Sequence, residues 1–372
     1  MSAKVYVAYT SYHVFVSLLM AFSDSERRYD LHLVIVSNFA DADLLSQALS
    51  KYKAIPFKSI TLIQGEYNCK EKKFPISFIN RYLGVRKICL ILKDFIKKGD
   101  FSHIYLFNEE RPYSLAIMDY INKIDRKMCL SFVEDGLVTY NSYVENKDFH
   151  YILLGKIFYG FWWKNIEVMG RSACFNDIFI MFPQFVRPEL DCKKIKKIPI
   201  ENLEKIRKNR IAENILVEYD ISVNELVSLH TIILLSHSSV IERFPMYKDV
   251  ILGVIKKAQE TGYKVAIKYH PRDNGATDFL GLRNEPNIIF LRSSAPLELI
   301  YLAAKDNIRL VIADLSTAIL SASLILDKAS VISTSLLLGN IDNRFLIMAE
   351  SLGIHLPKSY GDFGNYLSLR KI

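Results

Sequence analysis

The pairing of His270 with Pro271 carries the most chemistry in this sequence. KYHPRD, residues 268–273, closes KVAIKYH (264–270), which reads as a buried strand. Pro271 has no backbone donor and restrains the residue before it, so the chain presents His270 in a defined direction as the strand ends. A histidine of ordinary pKa holds a proton near neutral pH and can donate it to a departing phosphate oxygen. Arg272 would add a charge-assisted contact to the same anion. Alone, a His-Pro pair reads more often as a structural strand end, so its weight depends on what accompanies it.

FVEDGLVTY, residues 132–140, sets Glu134, Asp135 and Gly136 after another apolar strand. Adjacent carboxylates repel, which raises the proton affinity of one of them and suits it to act as a base toward a hydroxyl. Ordinary turn chemistry would also place acid, acid and glycine there. DLSTAILSAS, residues 314–323, passes from strand to helix at Ser316 and Thr317. Free amides and hydroxyls at a helix start bind phosphate or carboxylate, and they also simply cap helices. Pro296 opens a helix in SSAPLELIYLA (293–303), where Glu298 can accept from ribose hydroxyls or complement the helix dipole. Ser236 and His237 in SHSS (236–239) would face a nucleotide. Thr10, Ser11 and His13 in YTSYH (9–13) would face a cleft from the first half of the chain.

The elements that must hold these residues form two series. KVYVAYT (4–10), LHLVIVS (31–37), HIYLFN (103–108) and CLSFVED (129–135) read as strands with helix-like segments between them, notably 79–98. TIILLSHS (231–238), KVAIKYH, NIIFL (287–291), RLVIADL (309–315) and SVIST (330–334) make the second series. The pattern predicts an α/β protein of two Rossmann-like domains with parallel sheets. Residues 188–214 are lysine-rich and weakly patterned, so the junction is placed there: a first domain over 1–190, a linker over 191–214 and a second domain over 215–372. Open α/β sheets bind ligands beyond the carboxyl ends of their strands, and the polar residues named above fall there. A cleft between two such domains suits a nucleotide-sugar enzyme.

Bulk properties narrow the class. At 372 residues the chain is long enough for two cores. It has no apolar run long enough to span a bilayer and no secretory pattern at its start, which predicts a cytoplasmic location. Its five cysteines are scattered, without CxxC pairs or zinc-ligand spacing, and read as reduced thiols; no metal site is expected. The net charge is +8, with lysine runs at 70–73, 97–98 and 193–197 that favour phosphate-bearing partners or an anionic membrane face. Tyr151–Trp163, YILLGKIFYGFWW, reads either as a buried helix or as an interfacial anchor with Trp162, Trp163 and Lys164 at headgroup level.

Together the motifs resemble the bacterial sialyltransferases, in the families of lipooligosaccharide sialyltransferases and capsule polysialyltransferases. Glu134-Asp135-Gly136, His270-Pro271 and Ser316-Thr317 stand in the family order, and YTSYHVFVSLL (9–19) looks like the strand, polar turn and helix that open such enzymes. The resemblance implies a GT-B fold, with two Rossmann-like domains facing across a cleft. It implies CMP-sialic acid, or the CMP donor of a related nonulosonic acid, as co-substrate, inversion at the anomeric carbon, and no cofactor or metal. One of Glu134 and Asp135 would be the base, His270 would protonate or stabilise the CMP phosphate, and Ser316-Thr317 would bind the donor's phosphate or carboxylate. The acceptor would be a bacterial surface glycan, including lipid-linked ones reached by peripheral contact with the inner membrane.

A teichoic-acid-type glycerophosphotransferase is the nearest alternative, since it also pairs a His-Pro turn with an Asp-x-Ser-Thr segment; Glu134-Asp135-Gly136 favours the sialyltransferases. The net charge and many aromatics raise nucleic-acid binding as another class. Dispersed basic runs and the lack of a nucleic-acid module speak against it.

Overall fold

The structure is a computed structural model that describes all residues except 1, 28, 66–75, 125–127, 142–148, 274–277, 286 and 371–372. The lysine run at 70–73 and Cys69 lie outside the described residues. The chain divides into two compact units, Met1–Asn209 and Arg210–Ile372.

The first unit contains β1 (Ala3–Ala8), β2 (Asp30–Ser37), β3 (Ser59–Gln64), β4 (Phe101–Leu106), β5 (Cys129–Val133), β6 (Asp177–Ile180) and β7 (Lys194–Lys197). They form a seven-stranded sheet in the order β3-β2-β1-β4-β5-β6-β7, parallel throughout. The central strands are almost continuously buried, as a parallel sheet covered on both faces requires. Strand order reverses between β1 and β4, so the loops after these strands flank the switch point where α/β sheets bind ligands. Register carries the site: Val7 pairs with Leu106 and Leu106 with Phe132, which brings the segments after β1, β4 and β5 to one level of the carboxyl edge.

The second unit contains β8 (Thr231–Leu234), β9 (Val265–Lys268), β10 (Ile288–Leu291), β11 (Leu310–Ala313) and β12 (Ser330–Ser333), in the parallel order β10-β9-β8-β11-β12. Ile233, Ile267, Ile312 and Ile332 from four of these strands share a core with Val250, Ile251 and Val254 of the helix Tyr247–Gln259. The switch point lies between β8 and β11.

Two expectations are revised. Residues 191–209 are not a linker but the edge of the first unit. β7 pairs with β6, and Asn202 donates to the Leu19 carbonyl and to Ser23 Oγ, both at 2.8 Å. Three lysines and one isoleucine on a half-exposed edge strand have the composition of a linker, because lysine is what keeps such edges from pairing further. The unit boundary falls at Asn209/Arg210, inside the predicted junction of 188–214. The aromatic segment is also divided. Its helix Phe149–Tyr159 leaves Leu153, Leu154 and Ile157 exposed, and Phe161 follows exposed, whereas Trp163 is buried (3 % exposed) and so is not an interfacial residue. Trp163 packs so closely on Gly155 that a Cβ there would lie 2.5 Å from the indole.

Candidate active site

In the first unit the carboxyl edge holds an acid pair whose two members have different surroundings. The helix Ser11–Glu26 is capped by Thr10, whose Oγ1 accepts from the His13 N–H at 3.1 Å. His13 therefore sits in the first helical turn and is buried, stacked on Phe107 with centroids 4.6 Å apart. It was expected to face a cleft; it lies behind Asp135 instead. Its Nδ1 accepts from the Tyr9 N–H at 3.2 Å, which leaves the ring proton on Nε2, 2.5 Å from Asp135 Oδ1. Asn108, just beyond β4, donates to Asp135 Oδ2 at 2.5 Å. Two donors thus fix the Asp135 carboxylate. Gly136 follows at φ 65°, a conformation that glycine adopts without strain, and lets the chain turn at once into the 3-10 turn Gly136–Thr139. That turn closes on Asp135, whose N–H donates to Thr139 Oγ1 at 2.9 Å. Thr10 and Ser11 remain partly exposed beside it.

Glu134 points the other way along the strand alternation. It is 1 % exposed and accepts from the hydroxyls of Tyr12 and Tyr140 and from the Met181 N–H at 2.7 Å. Burial pushes its pKa up to about 7, against the pull of these three donors. The Asp135 side chain, by contrast, is 18 % exposed. Of the two acids, Asp135 is the one a substrate hydroxyl can touch. Tyr12, Asn108 and Tyr140 were not singled out from the sequence. Asn108 was readable only as the polar residue ending a strand, and the tyrosines carried no signal.

In the second unit the loops after β8, β9 and β11 meet on the same edge. Leu234 pairs with Lys268 and Ile233 with Ile312, so Ser236, His270 and Asp314 emerge from neighbouring strands. Asp314 is buried and binds the loops together: its Oδ2 accepts from Asn340 at 2.8 Å and from Ser236 Oγ at 3.3 Å. The Ser236 N–H donates to Tyr247 Oη at 2.8 Å. Ser316 caps the helix Thr317–Ile325, its Oγ accepting from the Ala318 N–H at 3.2 Å. Glu298 is buried in the helix Leu297–Ala303, where it accepts from Ser321 Oγ at 3.3 Å. Lys268, buried next to it electrostatically, has its pKa lowered to about 8 by burial.

His270 differs from expectation in its charge. Burial, then the neighbouring His237 ring and Arg272, bring its pKa down to about 4, so the ring is neutral at pH 7. The Arg272 N–H donates to His270 Nδ1 at 3.1 Å, which assigns the ring proton to Nε2. His270 thus offers a neutral N–H donor rather than an imidazolium. Pro271 and Arg272 complete the turn, with Arg272 exposed. Among the described residues, His237, His270 and Asp273 have donor atoms close enough to hold a metal ion, within 4.8 Å of one another.

Residues 7–335 match the family model of the alpha-2,8-polysialyltransferases. The chain belongs to this family. It is a sialyl-transferring glycosyltransferase, with a nucleotide-sugar donor and a glycan acceptor implied by the family. Comparison with curated protein sequences finds no match. Among solved structures, it is similar to UDP-GlcNAc 2-epimerase from Methanocaldococcus jannaschii, with TM-score 0.63 and 13 % identity over 99 % of this chain and 92 % of that one. UDP-GlcNAc 2-epimerase from Neisseria meningitidis aligns with TM-score 0.56 and 12 % identity over 98 % of this chain and 90 % of that one. The GT-B domain of a sialyltransferase from Photobacterium damselae gives TM-score 0.49 at 13 % identity, covering 95 % of each chain. Two parallel sheets wrapped by helices and the epimerase likeness make the fold of this polysialyltransferase-family enzyme GT-B. No helix among the described residues is long and apolar enough to cross a membrane.

Proposed function

We propose that the enzyme moves sialic acid, or a related nonulosonic acid, from its CMP donor to a hydroxyl of a bacterial surface glycan, lipooligosaccharide or capsule, inverting the anomeric carbon without a metal. Asp135 takes the acceptor proton, the acceptor oxygen forms its bond to the anomeric carbon, and the bond to the CMP phosphate breaks. His270 Nε2–H meets the negative charge that gathers on the departing phosphate, and Arg272 adds to the same field. Ser316 and Thr317 hold the donor's phosphate or carboxylate, with Ser236 and His237 on the nucleotide side; Glu298, expected at the ribose, is buried and bonded to Ser321 instead. The single observation that carries this reading is the His270 turn, where a backbone N–H to Nδ1 leaves a neutral imidazole with its donor on Nε2 at the carboxyl edge of the sheet. Donor competition tests it: CMP-sialic acid should be consumed and CDP-glycerol left intact. Consumption of CDP-glycerol alone would assign the chain to glycerophosphate transfer.

Turnover is expected to persist undiminished in EDTA, because the anion is met by protein donors. Loss in chelator, restored by magnesium or manganese, would reject this mechanism.

Peripheral attachment to an anionic inner membrane belongs to the same proposal. The helices Ile76–Lys98 and Phe149–Tyr159 pack together through Tyr82 and Phe158, with ring centroids 5.3 Å apart. Their outer faces expose Leu83, Leu90, Ile91, Leu153, Leu154 and Ile157 among Arg86, Lys87, Lys97, Lys98 and Lys156. Exposed apolar side chains among an excess of cations, with Asp94 paired to Lys98 at 2.6 Å, suit the headgroup region of anionic lipid. The enzyme should float with phosphatidylserine-containing liposomes at low salt, and Leu154→Glu with Ile157→Glu should abolish flotation. Protein that stays in the lower fractions with these liposomes would remove membrane attachment from the reading.

A further inference from the structure

Asp273 joins the loops after β8 and β9. Its N–H donates to the His270 carbonyl at 2.9 Å, its Oδ2 accepts from the Ser238 N–H at 3.0 Å, and its Oδ1 lies 3.5 Å from His237 Nε2. The His237 ring stands edge-on to that of His270, with centroids 5.2 Å apart at 78°. By composition, two imidazoles and a carboxylate form a metal-binding set. Their hydrogen bonds argue for the opposite partner. His237 Nδ1 accepts from the Ser239 N–H at 3.2 Å, as His270 Nδ1 accepts from the Arg272 N–H at 3.1 Å. A ring nitrogen that accepts an N–H carries no proton, so each neutral ring carries its proton on Nε2. A histidine that binds metal through Nε2 needs that proton on Nδ1, where it is usually given to a carbonyl or carboxylate. Both rings here have the reverse arrangement, each with its N–H on Nε2, and that of His237 lies 3.5 Å from Asp273 Oδ1. Such a pair attracts an anion.

We propose that His237 is a second catalytic donor to the phosphate of the sugar nucleotide, beside His270, and that Asp273 is the positioning residue that aims it. This rests on the CMP-donor reading above. The His237–Asp273 separation of 3.5 Å exceeds a good N–H···O distance, so His237 is held near Asp273 without being committed to it. The two rings, with centroids 5.2 Å apart, are close enough for both to reach one phosphate group at hydrogen-bond distance. Two neutral N–H groups on one departing phosphate share the charge that neither would neutralise alone. Asp273 acts on the anion only through His237: it ties Ser238 to the His-Pro turn and keeps the two rings on converging lines.

The test is calorimetric binding of CMP and of cytidine to the full chain, since the two ligands differ by the phosphate alone. His237→Ala should weaken CMP about tenfold and leave cytidine unchanged, the scale of one hydrogen bond to a charged group. Unchanged cytidine binding also reports that the site is folded. Asp273→Ala should weaken CMP to a similar extent and add little in a His237→Ala background. Asp273→Asn, which keeps an acceptor for Ser238, should recover most of the loss. Wild-type CMP affinity in His237→Ala overturns the proposal, as does tighter CMP binding in Asp273→Ala, which would make that carboxylate a mere source of repulsion. A wild-type protein that binds neither ligand would instead overturn the CMP-donor reading itself.

Discussion

His270→Ala is expected to lower sialyl transfer and acceptor-independent hydrolysis of CMP-sialic acid together, each by about a hundredfold to a thousandfold, the usual result of removing one donor from a developing anion. Both reactions expel the same phosphate, so a residue that serves the leaving group cannot spare one of them. The pH dependence separates two forms of this role. A protonated histidine of ordinary pKa acting as a full general acid would make kcat/KM fall as pH rises through about 6.5. His270 has its pKa depressed to about 4 by burial, so it is already neutral across the working range and its Nε2–H is available on both sides of 6.5. Hydrolysis by the wild-type enzyme should accordingly show no alkaline loss near 6.5. Such a loss, abolished in His270→Ala, would establish imidazolium chemistry, and full transfer by a folded His270→Ala enzyme would reduce His270 to a strand-end residue.

The parts of this site that were readable from the sequence are those set by local rules. Runs of valine, isoleucine and leucine marked β1, β2, β4, β8, β9 and β11, because interior parallel strands are buried on both faces, and similar runs marked the second sheet's edges β10 and β12. The ends of β5, β9 and β11 then located Glu134, Asp135, His270 and Ser316. β3, β6 and β7 escaped. β3 and β7 are the two edges of the first sheet, where only part of each strand is buried, and β6 is a four-residue strand that begins on a charged residue. Contacts that set chemical character escaped as well. His13 and Asp135 are 122 positions apart, and so are Tyr12 and Glu134, so nothing local announces either pair. The charge state of His270 depends on tertiary burial, and a strand-end His-Pro turn reads the same whether its ring is protonated or not. Spacing could nominate an acid pair for base chemistry; choosing between its members required knowing which side chain the sheet swallows.

That choice yields the second large effect. Asp135→Asn should depress transfer by about a hundredfold or more, the scale of losing a general base, with donor binding and acceptor-independent hydrolysis near normal. In hydrolysis the attacking water can pass its proton on to bulk solvent, whereas an acceptor hydroxyl held in the site gives its proton to Asp135 as its oxygen attacks. His13 and Asn108 hold the two carboxylate oxygens, and the Asp135 side chain is 18 % exposed, which leaves it open to an acceptor. Glu134→Gln should behave differently. With its pKa raised to about 7 by burial, Glu134 keeps a proton in the folded chain that the unfolded chain gives up near 4.5. The folded state therefore binds more protons between about pH 4.5 and 7, and stability falls as pH rises through that window. Glutamine imitates the protonated form, so Glu134→Gln should flatten the decline of Tm between pH 5 and 7 while transfer changes less than in Asp135→Asn. The reverse ranking, with Glu134→Gln losing transfer a hundredfold and Asp135→Asn retaining it, would hand the base role to the buried acid and require the tyrosine-lined site around it to open to the acceptor during turnover.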